Sequence, residues 1–69
     1  MKIDLSNLSH TEAEQAITQA VEAHLGKGVV ITFITGNSTP MKVVVLQVLD
    51  RHGLQSLNIL KTQIKARVS

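Results

Sequence analysis

The sequence predicts one small α/β domain, residues 1–69, with the element order β-α-β-α-β, a mixed sheet and two helices. Three observations carry that expectation. A capping-box pattern, Ser9-His10-Thr11-Glu12, opens an apolar stripe of helical period. A β-branched run, Val29 to Ile34, lies just after a glycine-bounded connector. Thr39-Pro40 opens a second segment of helical length that closes at Gly53.

Lys2 to Leu5 alternates polar and apolar residues, the period of a half-buried strand. The first helix is predicted over residues 10–25. Ser9 accepts from the Glu12 N–H in the expected box, and Leu8 and Ala13 form a small hydrophobic staple. Ala13, Ala16, Ile17, Ala20, Val21 and Leu25 continue one apolar face, and Gly26 supplies a left-handed residue after the last turn. VVITFI, Val29 to Ile34, is almost continuously apolar and is expected to be covered on both faces. Thr39 is the expected N-cap of the second helix, with Pro40 at its first position, over residues 40–52. Val43-Val44-Val45 favours strand locally, but the length of the segment favours a buried helix.

Beyond Leu54 the apolar phase shifts. Leu57 and Ile59 occupy odd positions, whereas Leu60, Ile64, Ala66 and Val68 occupy even ones, so one regular strand cannot bury both sets. The last strand is therefore bulged near Leu60 to Thr62 or split into a hairpin at Lys61-Thr62. The absence of glycine or asparagine from that turn favours the bulged strand. Ile17, Val21, Val30, Ile31, Phe33, Val45 and Leu49 are the expected core.

Composition removes several classes of function. Without cysteine there is no disulfide, thiolate nucleophile or iron–sulfur cluster, and a zinc site would need His10, His24, His52 and carboxylates. His10 and His24 lie on one predicted helix, and 14 residues at about 1.5 Å each hold them roughly 21 Å apart, too far to share a metal. His24 and His52 are better read as partners of helix C-termini. No metal or cofactor is indicated. No apolar run reaches the roughly 20 residues a membrane-spanning helix needs, and the start of the chain lacks a signal-peptide pattern, so a soluble, cytoplasmic protein without a membrane partner is expected.

The net charge of +2 conceals an asymmetry. Through Leu25, Lys2 stands against Asp4, Glu12, Glu14 and Glu22, one base against four acids, leaving −3. After Leu25, Lys27, Lys42, Arg51, Lys61, Lys65 and Arg67 stand against Asp50 alone, six bases against one acid, leaving +5. Such a small basic protein can steer a polyanion to one side. Its only aromatic residue, Phe33, makes a base-stacking platform an unlikely design.

Right-handed crossovers would bring the two strand-to-helix turns to one edge of the sheet. Ser6 and Asn7 would then meet Thr35, Gly36, Asn37 and Ser38, with two helix N-termini pointing outward and Lys42 one turn into the second helix. Gly36 permits close approach of a phosphate, and the hydroxyls and amides offer hydrogen bonds. Further along, Lys61, Gln63, Lys65 and Arg67 recur at every second residue, a basic ladder suited to phosphates or to guarding an edge strand.

These turns resemble the motifs of the Smr family, the small MutS-related domains. Ile3-Asp4-Leu5-Ser6-Asn7 with Leu8-Ser9 and Glu12-Ala13 is similar to the family's Leu-Asp-Leu-His-Gly stretch and its helix start. Ile34-Thr35-Gly36-Asn37-Ser38 is similar to its His/Thr-Gly-x-Gly stretch. The resemblance covers nearly the whole chain. It implies a fold like the C-terminal domain of bacterial translation initiation factor three and a role in binding or cleaving DNA or RNA. Ser6 stands where the family has histidine, and Asn7 and Ser38 stand where it has glycines. These departures point away from nuclease chemistry, leaving Asp4 and His10 as the weak catalytic candidates.

The favoured expectation is thus a DNA- or RNA-binding domain, directed at the backbone and weakly selective for sequence. Its candidate contacts are Ser6, Asn7, Thr35, Gly36, Asn37, Ser38, Lys42, Lys61, Lys65 and Arg67. The alternative is a protein-interaction or homo-oligomerisation module, such as a homodimer, using the Val-rich second helix or the final strand edge. A residual metal-dependent endonuclease is the third reading.

Overall fold

A computed structural model describes residues 1–68. The elements are β1 (Lys2–Asp4), α1 (His10–Ala23), β2 (Val29–Ile34), α2 (Thr39–Arg51), β3 (Ser56–Ile59) and β4 (Gln63–Val68). They form one four-stranded mixed sheet in the order β1-β2-β4-β3, under two helices. β1 runs parallel to β2, and β4 is antiparallel to both of its neighbours, so β1, β2 and β3 all point the same way. Both parallel steps, β1 to β2 and β2 to β3, are bridged by a helix, as strands that share a direction require.

Both helices start from a serine. The Ser9 hydroxyl accepts from the Glu12 N–H at 3.1 Å while the Glu12 carboxylate accepts from the Ser9 N–H at 3.0 Å, completing the expected box. α2 begins one residue earlier than its sequence suggests. Ser38, not Thr39, is its N-cap, accepting from the Met41 N–H at 3.2 Å, and Pro40 follows as the second helical residue. A proline there is harmless because that N–H would have no helical partner. At the other ends, the His24 and His52 rings each meet the carbonyl four residues back, His24 Nδ1 to Ala20 O at 2.8 Å and His52 Nδ1 to Val48 O at 2.9 Å. A carbonyl only accepts, so each imidazole donates from Nδ1 to a C=O of its helix's last turn; the Val48 carbonyl also accepts the His52 N–H at 3.3 Å. Leu25 lies beyond α1 and is exposed rather than part of the buried stripe.

One core joins the layers. Ala13, Ile17, Ala20 and Val21 of α1 and Met41, Val45, Val48 and Leu49 of α2 meet Ile31 and Phe33 of β2 and Ile64, Ala66 and Val68 of β4. Because both helices pack on each other and on the same sheet residues, they lie side by side on one face. The other face of the sheet is uncovered. This corrects the expectation that Val29–Ile34 is covered on both sides: Val30 and Ile34, with side chains on the open face, are only half-buried, and Val30 leaves the predicted core. An apolar run this continuous needs no second helical layer where neighbouring strands cover its open side, and Thr32 is buried between Lys2 of β1 and Lys65 of β4 in register.

The C-terminal segment is a hairpin, not the single bulged strand favoured from its sequence. β3 and β4 pair antiparallel across Leu60 to Thr62, and the irregularity lies inside β3, between Ser56 and Asn58. Among the described residues none other than glycine has positive φ, so this turn dispenses with the left-handed positions that glycine or asparagine would fill. It is held from outside: the Thr62 carbonyl accepts from the Thr35 N–H at 2.9 Å and the Gly36 N–H at 3.1 Å. β4 is consequently an interior strand, which removes the edge-guarding reading of Lys65 and Arg67. Among the described residues no helix is long and apolar enough to cross a membrane.

Candidate functional site

The parallel pairing of β1 and β2 puts their carboxyl ends together. Leu5, fully buried, donates from its N–H to the Ile34 carbonyl at 2.8 Å and pins the β1–α1 loop beside the start of the β2–α2 loop. Gly36 has φ of +64°, and a Cβ placed on it would stand 3.9 Å from the Ser6 Cβ. The two predicted turns are therefore neighbours, as right-handed crossover geometry required. The third member of the edge is the β3–β4 turn, drawn in by the Thr62 carbonyl, which brings Lys61 to the same edge.

Within the first loop Asp4 is engaged locally. Its Oδ1 accepts from the Ser6 hydroxyl at 2.6 Å and from the Ser6 N–H at 2.9 Å. The hydroxyl bond first and the N–H bond second hold this carboxyl below the ordinary aspartate range. Asp4 thus remains an anion that orders the loop, and Ser6 spends its proton on it. Asn7 is exposed beside them, and His10 is exposed as the first residue of α1. Glu12 is held below the usual glutamate range by the Ser9 N–H and then the Ser9 hydroxyl. The N-terminus of α1 therefore carries its own carboxylate and is not open to a second anion.

The second loop is the complementary half. Thr35 is buried, and its hydroxyl donates to the Gly36 carbonyl at 3.0 Å, so it shapes the loop instead of presenting a ligand group. With the Thr35 and Gly36 N–H groups donated to Thr62, the backbone donors of this loop that make no intramolecular hydrogen bond among the described residues are those of Asn37, Ser38 and Thr39. α2 has no acidic residue in its first turn, so its positive end is uncompensated, and half-buried Lys42 follows one turn in. The two helix N-termini were expected to act alike. Glu12 makes them opposite in character.

The remaining basic residues separate. Lys61 belongs to this edge, whereas Lys65 sits mid-sheet on the open face opposite Thr32. Arg67 lies opposite Val30 toward the other end and donates to the Gly28 carbonyl at 3.1 Å. The expected ladder is thus a diagonal across the open face, with only its first rung at the loops. Sequence spacing gave no sign that Lys61 and Lys42 belong to one edge, because the bond that unites them runs from Thr62 to Thr35 and Gly36. Among the described residues, no group of three His, Cys, Asp or Glu side chains is placed to hold a metal ion. The chain matches no family model, no curated protein and no solved structure. The site's chemistry therefore rests on its own geometry: a polar edge with backbone N–H donors at a helix start and two lysines, groups that suit an anion.

Proposed function

We propose that the chain is a nucleic-acid-binding domain, for DNA or RNA, which engages the sugar–phosphate backbone with weak sequence selectivity and without nuclease activity. The observation that carries this reading is the convergence of the uncompensated α2 N-terminus, Lys42 and the Lys61 turn on one edge of the sheet. Backbone N–H groups at a helix start and mobile lysines contact phosphates without reading bases. The exposed face carries no aromatic residue, since Phe33 is buried in the core, so bases have nothing to stack on. The resemblance to small MutS-related domains supports the same ligand class. Its histidine position is Ser6, whose hydroxyl is committed to Asp4, and this is why cleavage is not part of the proposal.

The deciding experiment titrates labelled single- and double-stranded DNA and RNA at two salt concentrations. Binding that weakens steeply with salt is the expected result. If nothing binds at low salt, or if affinity ignores salt, the reading fails. Incubation of the same substrates with magnesium or manganese should leave them intact; robust cleavage abolished by Asp4→Ala or His10→Ala in folded protein would make the domain an enzyme.

A further inference from the structure

We infer that the open face of the sheet carries a phosphate-binding site, separate from the loop edge, with the Thr32 hydroxyl as its floor and Lys2 and Lys65 as its two walls. Ile31 and Phe33 of β2 point into the core, so Thr32 between them points to the open face. It stands in register with Lys2 of β1 on one side and Lys65 of β4 on the other. Thr32 is nevertheless only 7% exposed. No helix covers this face, so the burial comes from the side chains around it, the lysine stems among them.

Thr32 and Thr35 are the buried polar residues of the described chain, and their hydroxyls differ. The Thr35 hydroxyl donates to the Gly36 carbonyl, whereas among the described residues the Thr32 hydroxyl has no hydrogen-bond partner. No fully enclosed side-chain oxygen or nitrogen is left unpaired there, so the Thr32 oxygen is reachable from outside, at the bottom of the gap between the lysines. A hydroxyl that can both donate and accept, held in that place, takes its partner from beyond the chain.

The lysines are equally unclaimed. The ion pairs among the described residues join Arg51 to Glu14 and His52 to Glu22, and neither involves Lys2 or Lys65. Asp4 is the one carboxylate that the strands bring to this face; it stands opposite Ile34, off the row of Lys2, Thr32 and Lys65, and its Oδ1 already accepts twice from Ser6. Adjacent strands lie about 4.8 Å apart, so the two lysine backbones flank Thr32 at about 10 Å from each other, and both ammonium groups can close on one ligand above its hydroxyl. Two point charges and a separate hydroxyl suit a tetrahedral oxyanion with oxygens in several directions, hence a phosphate group. A flat carboxylate is better matched by a planar guanidinium fork. Arg67, opposite Val30, spends an N–H on the Gly28 carbonyl and rims the site. The same chemistry accepts a phosphate of a phosphodiester backbone or a free phosphate group, so the site does not depend on the nucleic-acid reading.

Amide chemical shifts of the whole chain, followed as inorganic phosphate is added and compared with sodium chloride at equal ionic strength, test the site without nucleic acid. Thr32 and Lys65 should shift saturably with phosphate and not with chloride. Thr32→Val keeps the shape and strand preference of the residue but removes the hydroxyl, and Lys65→Gln removes a charge. Each should raise the dissociation constant read at these positions at least about fivefold. The amides of Asn37 and Ser38, which report the loop edge, should keep their wild-type response in both variants. Shifts that never saturate, shifts that chloride reproduces, or a constant unchanged in both folded variants would overturn the inference. A thymidine oligonucleotide without terminal phosphate then distinguishes the source: competition at Thr32 and Lys65 identifies a phosphodiester, and its absence identifies a free or terminal phosphate group, the site being upheld by either.

Discussion

At the scale of single residues, the two loops leaving β1 and β2 owe their difference to where one carboxylate goes. Glu12 folds back on Ser9 and neutralises the start of α1, while α2 has no such acid in its first turn and its positive end is uncompensated. Asp4 performs a similar local task for Ser6. Both carboxyls have folded-state pKa values lowered by hydrogen bonds they lose on unfolding. The sign follows directly: their stabilisation is present above the ordinary carboxylate pKa of about 4 and is lost as pH falls through the lower, folded-state values. Thermal midpoints should therefore drop on acidification through that range. Glu12→Gln retains a capping partner but removes the titration, so its midpoint should depend less on pH; an unchanged dependence would show that Glu12 is not a contributor.

At the scale of elements, α2 shows burial overriding local preference. Val43-Val44-Val45 disfavours helix, yet Met41, Val45, Val48 and Leu49 fall on one buried stripe, and that packing decides the conformation. The position of its start was less legible, because Ser38 and Thr39 are both competent caps and only the backbone of the loop chooses. Ser38→Ala should cost about 1 kcal/mol in chemical denaturation, whereas Thr39→Ala should cost far less. The reverse order would restore Thr39 as the cap. The hairpin stood as the less favoured of two alternatives for a different reason. Its turn is fixed by the Thr62 carbonyl bridging Thr35 and Gly36, residues distant in sequence, instead of by its own turn chemistry.

At the scale of the whole molecule, five of the seven basic side chains divide between two surfaces. Lys42 and Lys61 approach the loop edge, while Lys2, Lys65 and Arg67 belong to the open sheet face. If about three phosphates are neutralised, log K against log salt should slope near −2 to −3. Lys42→Ala and Lys61→Ala should each flatten that slope by about 1, and the pair Lys65→Ala with Arg67→Ala reports on the sheet face separately. A slope altered only by the sheet-face pair would move the interface there and away from the loops.

What the sequence determined by itself was local: the capping box at Ser9, the stripe of α1, the strand Val29–Ile34, and the nearness of the Ser6 and Gly36 turns, which follows from chain handedness once two parallel strands are granted. These depend on bonds within a few residues or on a rule of connection. The tertiary structure alone decided that β4 enters between β2 and β3, that both helices share one face, and that Lys61 joins the loops. Each of those outcomes rests on hydrogen bonds and packing between segments far apart in the chain. An alternation of lysines reads the same whether its strand lies at an edge or in the middle of a sheet; the partners on either side make the difference.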